Sequence, residues 1–321
     1  LTRKAPHGAF FIRTMHARPP FTVTTLGTGA ALPARGRYPT AQLLQAQGTW
    51  YLIDCGEGTQ ERLRTIGFNF QRIDQVFISH LHGDHFLGLM GLISSMHLLG
   101  RKTPLTVHGP PELQEIIGIQ LRASGTYLRY PLSIRATVPE NGALVMQDER
   151  VKVSALALQH RVPCTGFLFR EQPGPLRLRP DRVSSIPRYR RNAVKEGADL
   201  EVAEGGSIPN EMLTLPPLPP RSYAYCSDTA YTPALVPFLK GVDLLYHEAT
   251  FTTALAARAK ETMHSTAEQA ARIARDAGVG RLLLGHFSSR YKDPTVLLEE
   301  ARMVFPDTEL SNEGAVFHIG E

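Results

Sequence analysis

Apolar and polar positions along the chain fall into short runs that stop abruptly at glycines or acids. Phe21 to Leu26 is rich in β-branched residues and ends at Gly27-Thr28-Gly29, and Trp50 to Ile53 ends at Asp54-Cys55-Gly56. Gln75 to Ser79 is a third such run. Each has the length and residue types of a strand that hands over to a loop. The apolar stretch from Phe86 to Leu99 is too long for a strand and predicts a buried helix. Strands are expected at Leu105–Val107 and Val151–Leu158, with a helix between them opened by Pro110-Pro111. Regularity lapses from Arg170 to Gly206, where prolines, glycines and arginines alternate, and Leu215 to Pro220 reads as a proline-rich connector. It resumes with strands at Tyr223–Cys226, Asp243–His247 and Arg281–Gly285. Before the last of these, Ser265 with Glu268 predicts a capping box that opens a helix, and Gly278 closes it. Both halves carry strands followed by helices, without a repeat of solenoid length. That pattern predicts an α/β (α+β) fold of two sheets packed face to face with helices outside.

Composition narrows this picture in three ways. With 321 residues, 42% of them hydrophobic, the chain has ample material for one large core or two smaller ones. Its formal net charge of +5 is concentrated: Arg170 to Lys195 holds eight Lys/Arg against two Asp/Glu, a local net of +6, which leaves −1 for the remainder. The three cysteines, Cys55, Cys164 and Cys226, form neither a CxxC pair nor a disulfide framework, which points to a reducing cytoplasm. No apolar run approaches the ~18 residues of a membrane span, and no signal-peptide core follows the basic residues near the start. Met15 precedes the first strand-like run as a candidate start, so residues 1–20 are expected to be an N-terminal extension and residues 21–321 the folded domain.

The densest chemical signal is His80-x-His82-x-Asp84-His85, directly after a strand. A strand that stops at a short loop can aim several side chains at one point. Imidazoles and carboxylates are good zinc ligands, and this mix suits two neighbouring metals better than one. His160, Asp228 and His286 each follow a predicted strand end. Taken singly, each is as consistent with a core or surface residue. Their common placement argues for further ligands.

These motifs resemble the metallo-β-lactamase superfamily from about Phe21 onward. The resemblance implies an αββα sandwich of two mixed sheets. It also implies two Zn2+ ions (Mn2+ or another divalent ion being an alternative), one held by His80, His82 and His160, the other by Asp84, His85 and His286, with Asp228 between them. Four further stretches are similar to the ribonuclease Z family: Leu26-Gly27-Thr28-Gly29-Ala30-Ala31-Leu32-Pro33, Leu52 to Gln60, His247-Glu248-Ala249-Thr250 and His264-Ser265-Thr266. By that resemblance Asp84 orients the attacking water, and His264, backed by Glu248, protonates the departing oxygen. A carboxylate-held imidazole is chemically suited to that task, although on the residues alone Glu248 is also compatible with a helix cap or an arginine partner. His247, adjacent in the strand, should face the other way.

The resemblance further implies an endoribonuclease that removes the 3′ trailer of precursor tRNA after the discriminator nucleotide, leaving a 3′-hydroxyl on the tRNA and a 5′-phosphate on the trailer. It implies a homodimer in which a basic arm, inserted at about residues 170–203, grips the tRNA elbow. Arg177, Arg179, Arg182, Arg188, Arg190, Arg191 and Lys195 lie in that segment and suit phosphate contacts, with Tyr189 available to stack. Arg37 and Arg290 are further candidates for phosphate contacts. One rival is a hydrolase of small phosphodiesters or sulfate esters on the same metals, and another is a catalytically silent RNA-binding scaffold. The remote basic segment speaks against the first, and the full ligand set with His264 against the second.

Overall fold

The computed structural model describes residues 18–202 and 205–320; residues 1–17, which include Met15 and most of the expected N-terminal extension, lie outside the described residues. The chain begins with β1 (Phe21–Gly27), β2 (Ala41–Ala46) and β3 (Thr49–Ile53), then α1 (Thr59–Thr65) and β4 (Ile73–Phe77). The His-rich loop leads into α2 (Gly83–Phe86) and α3 (Leu89–Leu98), followed by β5 (Leu105–Gly109), α4 (Glu112–Ala123) and β6 (Leu132–Ala136). A second group opens with β7 (Leu144–Gln147), β8 (Val151–Leu158) and β9 (Cys164–Glu171).

The chain then departs into an insertion holding β10 (Arg177–Leu178), α5 (Arg191–Lys195), β11 (Leu200–Glu201), β12 (Ser207–Ile208) and β13 (Thr214–Leu215). It returns through β14 (Ser222–Cys226), α6 (Val236–Leu239), β15 (Leu244–Glu248), α7 (Ala256–Thr262), α8 (Ala267–Ala277), β16 (Arg281–Gly285), α9 (Thr295–Arg302), β17 (Thr308–Leu310) and β18 (Val316–His318).

Among the described residues the strands form two seven-stranded sheets, ordered β18-β1-β2-β3-β4-β5-β6 and β17-β16-β15-β14-β9-β8-β7. Each is mixed: β3 to β6 run parallel in the first and β14 to β17 in the second, while their other neighbours pair antiparallel. The sheets pack through Val23, Leu44, Tyr51, Ile53 and Phe77 on one side and Phe167, Phe169, Tyr223 and Tyr246 on the other. Outside, residues of α3 and α4 cover the first sheet and residues of α8 and α9 cover the second. The αββα sandwich follows, with the carboxyl ends of the parallel strands opening to one edge, where loops of α/β proteins build sites.

Some elements differ from the sequence pattern. The helix before β16 is capped one residue later than expected. Thr266 accepts from the Gln269 N–H at 3.2 Å and the Gln269 side chain accepts from Thr266, whereas the Ser265 hydroxyl donates to the Thr229 carbonyl at 2.8 Å. β2 carried no strand signal because it is interior, and buries residues on both faces instead of alternating. β6 and β7 are sheet edges with mostly exposed or half-buried residues, so they lack an apolar face to announce them. The insertion extends past residue 203 to the connector before β14, because β13 pairs antiparallel with β10. It has its own small core of Ile186, Val194, Leu200 and Leu213. No helix among the described residues is long and apolar enough to cross a membrane.

Candidate active site

His80 and His82 occupy the loop after β4, Asp84 and His85 lie on the short α2, His160 follows β8, Asp228 follows β14 and His286 follows β16. The close turn from sheet to helix depends on glycine. A Cβ on Gly88 would stand 2.2 Å from the Gly56 carbonyl oxygen, so only a bare α-carbon lets α3 start against the end of β3.

These seven side chains converge from both sheets. His80 Nε2 and His160 Nε2 lie 3.0 and 3.1 Å from His82 Nδ1. Asp228 stands between two groups of candidate ligands. Its Oδ2 is 3.7 Å from the Nε2 atoms of His80 and His160, while its Oδ1 is 3.3 Å from His85 Nε2 and 3.1 Å from His286 Nε2. Asp84 Oδ2 lies 3.4 Å from both His85 Nε2 and His286 Nε2 and accepts the Ala31 N–H at 2.7 Å. Donor atoms of His80, His82, His160 and Asp228 fall within 4.8 Å of one another, as do those of Asp84, His85 and His286. Burial alone would raise the Asp228 carboxyl, but His286, His85 and His80 around it hold it well below the usual carboxylate range.

Around this centre, the second ring nitrogens are fixed. Nδ1 of His80 meets the Ser79 hydroxyl at 3.0 Å, that of His85 the Asp54 carboxylate at 2.8 Å, that of His160 the Met263 carbonyl at 3.1 Å, and that of His286 the Thr250 hydroxyl at 3.0 Å. Such partners orient imidazoles for metal binding. Asp54 is the hub: it also accepts the Tyr225 hydroxyl at 2.6 Å and the Ser79 N–H at 2.8 Å, from a left-handed backbone with φ 54°. His85 Nε2 is buried and has no hydrogen-bond partner, although two carboxylates flank it. A divalent cation would give that atom its partner, and a set of imidazoles with carboxylates fits zinc or a similar ion.

His264 and Glu248 meet beside this centre. Glu248, fully buried at the end of β15, accepts from His264 Nδ1 at 2.8 Å and from the Thr229 N–H at 2.9 Å on Oε1, and from the Thr250 hydroxyl at 2.6 Å on Oε2. Burial would lower the His264 pKa, but the Glu248 carboxylate outweighs it and raises the group to about 9. With Nδ1 engaged, the other edge of the ring is available to a pocket of about 310 Å3 that it shares with His82, Asp84, His160, Asp228 and His286. His247 faces away, fully buried, with Nδ1 against the Glu248 carbonyl at 2.8 Å.

The remaining candidates are scattered. Arg290 lines the pocket, 5.7 Å over the Phe251 ring. Arg37 instead donates to the carbonyls of Tyr291 and Lys292 at 3.1 and 3.0 Å, and so braces the loop that carries Arg290. In the insertion, Arg191 donates to the carbonyls of Ile186 and Val183, Arg177 to that of Pro216, and Arg190 pairs with Glu201. Arg179 and Arg182 both approach Asp181, Lys195 is half-buried, and Arg188 and Tyr189 are exposed. Sequence reading passed over Asp54, Ser79 and Thr250, and the pocket arginines Arg161 and Arg258. Asp54 left a signal, since an acid directly after an apolar strand needs a buried partner. The two arginines left none.

Comparison with known proteins agrees with this geometry. The family profile described as "Beta-lactamase superfamily domain" matches residues 218–287, and that described as "Anti-Pycsar protein Apyc1" matches residues 21–123. Ribonuclease Z of Bacteroides fragilis is 46% identical over 295 residues, which span 91% of this chain and 97% of that protein. Ribonuclease Z of Cytophaga hutchinsonii is 43% identical over 304 residues, 94% of this chain and 97% of that one. Among solved structures, the short form of human tRNase Z superposes with a TM-score of 0.68 at 29% identity, covering 92% of this chain and 98% of its own. The metallo-β-lactamase fold protein YhfI of Bacillus subtilis has a TM-score of 0.67 at 21% identity, covering 94% and 100%, and shares the fold.

Proposed function

This chain belongs to the ribonuclease Z family, and from its site we infer an endoribonuclease that removes the 3′ trailer of precursor tRNA after the discriminator nucleotide. The observation that carries the chemistry is the meeting of seven ligand side chains with the His264–Glu248 pair in one pocket. His80, His82 and His160 would hold one divalent ion, zinc by the donor set, and Asp84, His85 and His286 a second, with Asp228 facing both. Such ions supply Lewis acidity, which makes water a better nucleophile and neutralises charge developing on the phosphoryl oxygens.

The chain's own residues do the rest. Asp84, held by the Ala31 N–H, orients the attacking water. His264 donates its proton to the departing 3′-oxygen of the discriminator ribose. Glu248 keeps that imidazole protonated at neutral pH and fixes its ring through Nδ1. Arg290 at the pocket wall is placed for a backbone phosphate. The exposed Arg188, with Arg179, Arg182 and Arg190, gives the insertion a basic surface for the RNA backbone, and the exposed Tyr189 a ring to stack, so we read it as a tRNA-gripping arm. A homodimer in which each arm serves the partner's site, and a cytoplasmic location in keeping with the three free buried cysteines, complete the proposal.

The test is to incubate metal-loaded protein with a 3′-extended precursor tRNA and map the cut, beside His264→Ala. A single cut after the discriminator, slowed about 10²–10⁴-fold by the substitution, is the expected outcome. Hydrolysis of small phosphodiesters with the precursor left intact would move the enzyme to the small-ester branch. For the dimer, mixing His264→Ala subunits with arm-deleted subunits should restore cleavage in trans.

A further inference from the structure

The insertion leaves the second sheet at Glu171 and the chain rejoins it at Ser222, and a buried carboxylate sits at that root. Glu171 is only 2% exposed. Its Oε2 accepts from the Arg221 backbone N–H at 2.9 Å, from Arg221 Nε at 3.0 Å and from Arg18 at 2.7 Å. Its Oε1 accepts from Arg221 Nη2 and from Gln47, both at 2.7 Å. Arg221 is itself buried, donates to the Pro19 carbonyl at 2.6 Å and lies 5.4 Å over the Phe21 ring. Arg18 also donates to the carbonyl of Pro219, on the returning limb. Both limbs of the insertion, the approach to β1 and the turn between β2 and β3 therefore converge on one carboxylate.

A buried charge is tolerated only when it is paired and its lone pairs are used, and here five donors satisfy it. The fork of Arg221 onto both oxygens is directional, unlike the apolar contacts that would otherwise close such a root. The insertion's small core of Ile186, Val194, Leu200 and Leu213 is separate from the cores of the sandwich. Its body is thus a unit whose direction depends on how its root is held. We propose that Glu171 and Arg221 form a clamp that sets the direction of the arm, and so presents its basic surface to precursor tRNA. They are positioning residues, and this role rests on the reading of the insertion as a tRNA-binding arm.

The experiment compares Glu171→Gln with the unaltered enzyme on precursor tRNA and on bis(p-nitrophenyl) phosphate. Glutamine keeps the shape but gives Arg221 an uncharged partner and places a donor against its fork. The expected result is a KM for precursor raised about tenfold with kcat nearly unchanged, and a small-ester kcat/KM within about twofold. A merely structural defect would lower both activities together. Should Glu171→Gln fail to fold, Arg221→Lys decides, because it keeps the positive charge but removes the two-pronged fork onto Glu171; the same split is expected. An unchanged precursor KM in the folded variant overturns the clamp. A deletion of residues 175–217 separates the two readings: if it weakens precursor binding while Glu171→Gln does not, the clamp fails and the arm stands. If the deletion leaves precursor KM unchanged, it is the arm reading that fails.

Discussion

Glu248 shapes the chemistry of His264 from a position with no solvent contact, and its own lone pairs are filled by Thr229 and Thr250 as well as the imidazole. A histidine raised to about 9 keeps its proton through neutral pH and loses it only as the pH climbs through that value. Glu248→Gln removes the charge that raises it, so the imidazole deprotonates at lower pH. The alkaline limb of the kcat/KM profile should move to lower pH, with a larger loss of activity at alkaline than at neutral pH. A limb that stays in place would exclude His264 as the acid held by Glu248. The candidate ligand histidines depend on neighbours in the same way. Asp54→Ala leaves His85 Nδ1 without its acceptor, and metal affinity is expected to fall about 10–100-fold in a competition with a chromophoric chelator.

At the scale of elements, α8 buries Ala267, Ala270, Ala271, Ala274 and Ala277 together with Ile273. The small side chains let the helix lie close on the second sheet, and its first turn follows directly on the loop that carries His264. Thr266→Ala removes the N-cap acceptor and should cost about 1 kcal/mol in urea unfolding. The α2–α3 region is governed by backbone approach. Gly88→Ala puts a methyl group 2.2 Å from the Gly56 carbonyl, so this variant should bind metal weakly or fail to fold. The capping-box signal is legible in sequence, but the box forms one residue later than the Ser265–Glu268 pattern predicts. Ser, Thr, Glu and Gln sit side by side at 265, 266, 268 and 269, and propensity alone does not choose between two overlapping boxes. The tertiary partner did, because the Ser265 hydroxyl is taken by the Thr229 carbonyl.

Across the whole molecule, the candidate ligand set joins the two halves of the sandwich. His80, His82, Asp84 and His85 come from the first sheet's loops and α2, and His160, Asp228 and His286 from the second. Anything that binds this centre in the folded state alone stabilises the whole sandwich by mass action. Dialysis against a strong chelator should therefore lower the melting temperature as well as abolish cleavage, and adding back zinc should restore both. A melting temperature indifferent to chelator would mean that the ligands do not hold the halves together. The insertion, read as a tRNA-gripping arm, is predicted to act at the same scale. Precursor affinity should fall steeply as salt rises, and deletion of residues 175–217 should flatten that dependence, because released counterions scale with the phosphates neutralised.

The amino-acid sequence by itself determined the central strands, the candidate metal ligands and the cluster of positive charge. Those are carried by local patterns: β-branched runs, ligands spaced along one loop, and arginines packed into one segment. Only the tertiary structure decided how those charges are engaged and what holds the candidate ligands in place. Arg37 and Arg191 are engaged by backbone carbonyls, whereas Arg161 and Arg258 reach the pocket from elements with no motif of their own. Asp54 and His85, or Glu171 and Arg221, are distant in the chain and meet only because neighbouring strands of one sheet, β3 beside β4 and β9 beside β14, end at the same place. Sequence spacing encodes neighbours along one loop or helix, whereas contacts between strands depend on register and packing, which no local pattern records.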